Sequence, residues 1–272
     1  MTDALDDREA TAPADAARPR LRWWREVSYA AGFYLVYSLI RNATAAESVR
    51  VAFDHARSVI RVERLLGLYH EETIQALFLH YRWLVKALNV YYGSLHFVVT
   101  IAALVWCFRR RPDRYPLWRN TLAATTALAL IGFALFPLMP PRLLDACNSF
   151  GACSHYGFVD TLERIGGLWS FDSGTMKSIS NQYAAMPSLH FAWSLWCAGT
   201  LWPLTRERDW AKPLIAAYPA LTLFAIVVTA NHFFLDAVGG ALVFAAGYVV
   251  ASAIVARRSN RGVDGADVAS AP

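Results

Sequence analysis

The chain has 272 residues, of which 56% are hydrophobic and only 17% are charged. Soluble domains have about a quarter of their residues charged, and here the apolar residues gather in long blocks, which excludes an ordinary soluble domain and indicates an integral membrane protein. The formal net charge of +5 does not indicate a nucleic-acid partner, because the basic residues flank the apolar blocks in short segments.

The N-terminal part of the chain divides into a tail, an apolar block and a charged stretch. Residues 1–20 are rich in Ala, Asp and Pro, and predict a disordered tail. A membrane domain is predicted for residues 21–258, and its first span covers the apolar block 27–40. Between residues 41 and 82, charges recur while apolar residues keep helical spacing. This pattern predicts one or two amphipathic helices along the membrane surface, broken near Gly67.

Five further apolar blocks complete the predicted membrane domain, namely residues 84–108, 122–138, 186–204, 213–230 and 233–255. We therefore predict an all-α integral membrane fold with six transmembrane helices and an interfacial segment between the first and second. The small-residue tail, residues 259–272, is predicted to be disordered.

Basic residues define the predicted orientation, since they cluster in segments 20–25, 109–114, 205–212 and 257–261. With six spans, all four segments lie on one side, so the positive-inside rule places both termini in the cytoplasm of a plasma-membrane protein. The loop of residues 140–186 then lies outside. Cys147 and Cys153 in this loop are close enough in sequence for a disulfide, with two free thiols as the alternative. A structural zinc site is not expected, because the sequence has no CxxC or His-rich cluster.

The stretch from Ala185 to His190 opens one of the apolar blocks. Pro187 suits the first turn of a helix, which would place Ser188 and His190 beside free N–H groups at the positive end of the helix dipole. Such a position favours phosphate binding. The alternative is a helix start with an incidental serine and histidine.

Two further groups of residues fall on the same predicted outer face. His232 and Asp236 are four residues apart, so on a helix the carboxylate can fix the imidazole as a nucleophile or base. A structural His–Asp pair is the alternative. Arg142 follows two prolines and can grip phosphate oxygens, or extend to lipid headgroups instead.

Together, these residues resemble the motifs of the type-2 phosphatidic acid phosphatase superfamily. Pro140-Pro141-Arg142 matches the end of its first motif, Pro187-Ser188-Leu189-His190 the second, and His232 with Asp236 the third. The form of the motifs is most similar to the branch that includes inositol phosphorylceramide synthase.

The resemblance implies a role for each of these residues. His232 would attack phosphorus and form a phosphohistidine, Asp236 would orient it, and His190 would be the acid and base. Arg142 and Ser188 would hold the phosphate, and neither a metal nor another cofactor is implied.

The chain departs from the family pattern at two cationic positions. Leu135 stands where the family has Lys, and Ala225-Ile226 stand where it has Ser-Arg. Another cation would have to replace them, and the candidates are Lys177, Arg164 and Arg41. A phosphodiester, which carries less charge than a monoester, fits this loss slightly better.

Four more residues are candidates for lining the substrate pocket. Asn181, Gln182 and Tyr183 immediately precede the Ala185–His190 stretch, and His96 lies near the outer end of the second span. For His96 a hydrogen-bonded core position is the alternative.

The function implied is hydrolysis of a lipid phosphate or phospholipid at the outer face. Transfer of a phospho-headgroup to an alcohol is the first alternative. A non-catalytic lipid-binding or transport protein is the second. The lipid, the acceptor and the oligomeric state stay open.

Overall fold

The computed structural model describes residues 22–44, 49–167 and 182–269, and the predicted N-terminal tail, Lys177 and Asn181 lie outside these ranges. The described residues form helices and no β-strand; one isolated parallel bridge joins Leu138 and Ala184. The helices are α1 (Trp23–Thr44), α2 (Val49–Leu66), α3 (Glu71–Phe78), α4 (Arg82–Val90), α5 (His96–Arg110), α6 (Tyr115–Leu135), α7 (Pro141–Leu144), α8 (Thr161–Arg164), α9 (Leu189–Leu201), α10 (Leu204–Glu207), α11 (Ala211–Val228) and α12 (Phe234–Ala269).

In the part of the chain that the structure describes, three helical stretches are long and apolar enough to cross a membrane: Arg82–Arg110, Ala211–Val228 and Phe234–Arg258. The first joins α4 to α5 through a π-helical turn, Tyr91–Leu95. Large apolar side chains stay exposed on these stretches, among them Val98, Ile101, Val105, Leu221, Leu242 and Val249. Such surfaces are typical of helices that face lipid, so the apolar helices indicate a membrane protein.

Helix α9 occupies the centre of the bundle, where it contacts α5, α6, α11 and α12. Its Trp196 is fully buried, and the indole N–H donates to the carbonyl oxygen of Trp118 at 2.8 Å. The helix has 13 residues, a length of about 20 Å, which is shorter than the span predicted for residues 186–204. Its N-terminal end is where the sequence places Ser188 and His190.

The basic turns gather at the opposite end of α9. Arg111, after α5, forms an ion pair of 2.6 Å with Glu207 of α10. Arg119 of α6 forms another, of 2.7 Å, with Glu26 near the start of α1. Because α10 follows the C-terminal end of α9, these pairs lie at the end of the bundle away from His190.

Helices α2 and α3 are separated at Gly67, which has a positive φ of 68°. The buried face of α2 carries Ala52, Ala56, Val59, Ile60 and Glu63, while Arg57, Arg61 and Arg64 are exposed. Helix α2 packs against α12, and α3 packs against α11. The buried face therefore brings a carboxyl group, Glu63, into the protein interior.

The loop after α7 is held by side chains of the chain's first half. A disulfide joins Cys147 to Cys153. The side-chain amide of Gln75 pairs with both backbone polar groups of Val159, at 2.9 and 2.8 Å, and Asn89 donates to the carbonyl oxygen of Thr161 at 3.0 Å. These bonds fix the backbone on both sides of Asp160.

The C-terminal tail differs from its prediction. Helix α12 continues to Ala269, whereas the small-residue composition predicted disorder for residues 259–272. Extending an existing helix needs only one further residue to be fixed for each hydrogen bond, so a long apolar helix can propagate into a sequence that would not start one.

Candidate functional site

The start of α9 lies two residues later than Pro187 predicted. Helix α9 begins at Leu189, and Ser188 is its N-cap, with its hydroxyl oxygen accepting the N–H of Phe191 at 3.3 Å. Pro187 therefore precedes the cap, because a serine side chain satisfies a free helix N–H that proline cannot. Ser188 is fully buried, and its hydroxyl can still donate its own proton.

His232 and Asp236 form a bonded pair at the turn between α11 and α12. Asp236 Oδ2 accepts from Nδ1 of His232 at 3.2 Å and from the backbone N–H of Phe233 at 2.9 Å. Only Asp236 is helical, since α12 starts at Phe234, so the pair does not share a helix face as predicted. Instead, Asp236 reaches back across the first turn, in the manner of a capping residue. The bond to Nδ1 leaves Nε2 of His232 buried and without a hydrogen-bond partner among the described residues.

His190 lies opposite His232, with 5.9 Å between the two ring centroids. Its Nε2 is also buried, and no residue that the structure describes hydrogen-bonds it. The ring of Tyr92 stacks on His190 at 4.0 Å, and the backbone of Tyr92 hydrogen-bonds the same imidazole. Tyr92 belongs to the π-helical turn, a feature that often marks functional positions in helices.

Backbone hydrogen bonds join the three motifs to each other. The N–H of Ser188 donates to the carbonyl oxygen of Asp236, and that of Arg142 donates to the carbonyl oxygen of Ala230, each at 2.8 Å. The turn that carries His232 is therefore tied to the start of α9 on one side and to α7 on the other.

The guanidinium of Arg142 is buried and already has two partners. Its Nη1 contacts Asp160 Oδ2 and its Nη2 donates to Gln182 Oε1, both at 2.7 Å. Its Nε is buried without a hydrogen-bond partner in the described ranges of the chain. Gln182, a predicted substrate contact, thus contacts the arginine. Asp160 was missed by the sequence analysis, although Asp160 with Glu163 three residues later is an N-cap pattern for α8.

The remaining predicted pocket residues lie at different depths. His96 is fully buried, its Nδ1 is 3.0 Å from the Tyr218 hydroxyl, and its ring centroid is 5.0 Å from that of His190. Tyr183 lies in the core, where its hydroxyl donates to the carbonyl oxygen of Phe150 at 3.0 Å. The structure therefore brings His96 next to His190 and directs Tyr183 away into the loop.

The positions of the missing family cations are apolar in structure as well. Leu135 is 77% exposed, whereas Ala225 and Ile226 are fully buried. The carbonyl oxygen of Ile226 accepts from the N–H groups of Asn231 and His232, so this position supports the turn through its backbone. Of the proposed replacements, Arg164 is exposed at the end of α8, and the side chain of Arg41 lies outside the described part of the chain.

Two glutamates that the sequence analysis counted among surface charges are fully buried beside this turn. Glu71 Oε1 accepts the N–H of Phe234 at 2.9 Å, and Glu63 Oε1 accepts that of Leu235 at 2.8 Å. Burial raises the pKa of Glu63 to about 9, and the neighbouring carboxyl group of Glu71 acts in the same direction. A signal was present in the sequence, because Glu63 continues the helical spacing of Ala52, Ala56 and Val59.

Comparison with known families gives one match. Residues 57–250, more than half of the chain, match the family model described as the PAP2 superfamily. The matched range includes Arg142, Ser188, His190, His232 and Asp236. No curated protein and no solved structure matches the chain significantly.

Proposed function

Because the chain belongs to the PAP2 superfamily, we propose that it is an integral-membrane phosphatase that acts on a lipid phosphate through a phosphohistidine. The family supports an enzyme of the phosphatase or phosphotransferase type. One observation carries the proposal. Within the described ranges, the buried Nε2 atoms of His190 and His232 have no hydrogen-bond partners, and the two ring centroids are 5.9 Å apart while Asp236 holds the other side of His232.

In the first step, the lone pair of His232 Nε2 forms a bond to phosphorus while the bond from phosphorus to the lipid oxygen breaks. Protonated His190 gives its proton to the leaving alkoxide, so no free alkoxide is released. Asp236, bonded to Nδ1, stabilises the positive charge that develops on the attacking imidazole.

In the second step, water attacks the phosphohistidine. Neutral His190 takes one proton from the water, the new oxygen–phosphorus bond forms, and the phosphorus–nitrogen bond breaks with its electron pair returning to His232. Inorganic phosphate leaves. Arg142 Nε and the Ser188 hydroxyl are the donors we assign to the phosphoryl oxygens, because charge that develops on them is stabilised by donors fixed beforehand.

A lipid substrate is supported by the surface beside His190. The ring of Phe97 lies 5.9 Å from that of His190, and its side chain is 42% exposed. Leu95, also exposed, continues this apolar surface around the π-helical turn. An acyl chain can therefore stay in the bilayer while its phosphate approaches His190 from the side.

The membrane arrangement we propose has six spans, with α2 and α3 along the outer surface and the two histidines facing outside. The ion pairs Arg111–Glu207 and Arg119–Glu26 support this arrangement, since the basic turns that they join lie at the end of the bundle away from His190.

Site-specific labelling tests this orientation in a variant whose disulfide cysteines are replaced by serine. A membrane-impermeant thiol reagent should label Ser149→Cys in intact cells but not Asp209→Cys, which is the matched control at the basic end. The reverse result would invert the orientation.

Headgroup transfer is the second candidate function, with an alcohol taking the place of water in the second step. The loss of cations at Leu135 and Ile226 favours it, because a phosphodiester carries one negative charge where a monoester carries up to two. The likeness to the inositol phosphorylceramide synthase branch points in the same direction.

Mass spectrometry of the products decides between the candidates. Purified protein is incubated with a panel of lipid phosphates and phospholipids, with and without inositol, and with His232→Asn as the control. Release of phosphate alone identifies a phosphatase, and a new phosphodiester identifies a transferase. Lipid binding without any product, equal in both proteins, would leave the non-catalytic alternative. EDTA should not lower turnover, since the proposed steps use only side chains.

A further inference from the structure

Three carboxyl groups surround the first turn of α12. The N–H of Phe233 donates to Asp236 itself, that of Phe234 to Glu71 of α3, and that of Leu235 to Glu63 of α2. The first N–H groups of a helix have no partner within the helix. Here, side chains from outside α12 satisfy two of them, immediately after His232.

The contacts of the two glutamates require one proton between them. Glu71 accepts N–H groups on both oxygens, from Phe234 on Oε1 and from His70 on Oε2 at 3.1 Å. Glu63 accepts one, from Leu235 on Oε1, and its Oε2 is buried beside Glu71 with no hydrogen-bond partner in the described part of the chain. Two ionised carboxylates have no donor to place between them, so the unpaired Oε2 of Glu63 is the atom left to carry a proton.

The surroundings of the pair favour the same state. Glu63 is repelled by Glu71 on α3 and by Asp236 on α12, and Asp236 is in turn bonded to His232. Tyr69 lies on the Glu71 side, with the guanidinium of Arg64 4.8 Å from its ring centroid. Burial and repulsion together keep the pKa of Glu63 well above its usual range.

We propose that Glu63 and Glu71, sharing one proton, are positioning residues that hold the first turn of α12 so that Asp236 and His232 stay aligned for attack on the phosphate. This inference rests on the proposed function. Neither glutamate touches the reacting atoms. They act through the backbone N–H groups of Phe234 and Leu235, and so link α2 and α3 to the nucleophile.

Loss of the shared proton has a defined consequence. Above about pH 9 two charged carboxylates would face each other and Asp236 in a buried place. The turn would then move away from its aligned position. A misplacement of about 1 Å costs about 100-fold in rate.

Glutamine variants separate the two members of the pair. Glu63→Gln keeps an acceptor for Leu235 and a donor for Glu71, so it imitates protonated Glu63. Glu71→Gln places an NH₂ group against the N–H of Phe234 or of His70, because an amide has only one oxygen. We therefore expect kcat within about threefold of wild type for Glu63→Gln, but at least about tenfold lower for Glu71→Gln, with little change in KM.

The pH profile provides a readout that simple loss of packing would not change. In the wild type, the logarithm of kcat/KM should fall by one unit per pH unit once His190 is neutral. Above about pH 9 it should fall by two units per pH unit. Glu63→Gln should keep the first change of slope and lose the second. Glu72→Gln, at the residue after Glu71 and partly exposed, is the matched control and should keep both changes of slope.

A measurement that needs no substrate tests the pair separately from the proposed function. The pKa of Glu63 is raised from 4.5 to about 9 on folding. The contribution of Glu63 to stability is therefore greatest below pH 4.5 and falls as the pH rises towards 9, by about tenfold in the folding equilibrium constant per pH unit. Unfolding temperatures of the purified protein in detergent should show this fall in wild type and Glu72→Gln, and a smaller one in Glu63→Gln.

The activity measurements and the unfolding measurements test the proposal in different ways. If no lipid phosphate is turned over but the unfolding curves differ as expected, the pair exists and the proposed function is wrong. If Glu63→Gln has the same pH dependence of unfolding as wild type, or if Glu71→Gln is as active as Glu63→Gln, the shared proton is refuted.

Discussion

The ion pair between Arg142 and Asp160 allows a quantitative test of how the phosphate site is charged. The contact is 2.7 Å long, and the two side chains are only 10% and 9% exposed. Asp160→Asn removes the negative charge and keeps the size of the side chain. Its remaining oxygen can still accept the N–H groups of Leu162 and Glu163, which Asp160 Oδ1 accepts now. The variant therefore changes the charge opposite Arg142 with little change to α8.

The expected loss of stability follows from the burial of this pair. Removing one partner of a buried ion pair costs about 3–5 kcal/mol, since the other charge is left uncompensated. An asparagine that keeps its single oxygen for Leu162 and Glu163 turns its NH₂ group towards Nη1 of Arg142, so we expect the full loss of about 3–5 kcal/mol. For a chain of this size, 1 kcal/mol corresponds to about 2–4 °C, which gives an unfolding temperature lower by about 6–20 °C.

Inorganic phosphate should reverse part of this loss. Once Asp160 is neutral, an anion bound at Arg142 becomes its counter-ion, so phosphate should bind Asp160→Asn about tenfold more tightly than wild type, or about 1.4 kcal/mol. The assay is the unfolding temperature of the purified protein in detergent at increasing phosphate concentration, from which affinity follows by linkage. Asp160→Ala is the control, and it should lose about a further 1 kcal/mol with the cap of α8.

Two results would refute this reasoning. An unchanged unfolding temperature for Asp160→Asn would mean that the pair does not compensate a buried charge. Equal or weaker binding of phosphate to Asp160→Asn than to wild type would mean that the free donor of Arg142 does not face the anion site.

Three further outcomes are expected. His232→Asn should lower kcat by about 10⁴-fold with the unfolding temperature nearly unchanged, and activity above about 1% of wild type would contradict the covalent scheme. In Gly240→Ala, the new methyl group would overlap the Ser188 carbonyl oxygen and push the starts of α9 and α12 apart, so stability should fall by about 1–3 kcal/mol together with kcat. Gly239→Ala, whose Cβ would lie 3.3 Å from Pro187 Cβ, is its control and should lose less; equal losses would refute the overlap.

Local patterns predicted the parts of the fold and site that depend on neighbouring residues. The all-helical class and the apolar helices followed from hydrophobic blocks, and the family match confirms the superfamily resemblance, though not the branch. His232 and Asp236 were paired from a separation of four residues. The prediction of a shared helix face was nevertheless wrong, because α12 starts between them at Phe234 and the same separation also suits a capping geometry.

Contacts between distant parts of the chain were missed. Glu63 and Leu235 are 172 residues apart, and Glu71 and Phe234 are 163 apart. Charges on an amphipathic helix are normally solvated, so the helical spacing that places Glu63 on the apolar face of α2 does not predict its burial unless its partner is known. The partners here are backbone N–H groups, which every residue except proline carries. No pattern of side chains could therefore have identified them.

The two helix starts at the site differ in charge, and this difference decides where an anion can bind. The start of α12 is surrounded by carboxyl groups, those of Asp236, Glu71 and Glu63, so its positive end is already compensated. The start of α9 is capped by the uncharged hydroxyl of Ser188, and its dipole stays available. His190 lies in that first turn. Because Arg142 is already paired to Asp160, the proposed site depends strongly on the α9 dipole. A site with free cations in place of Leu135 and Ile226 would depend on this dipole less.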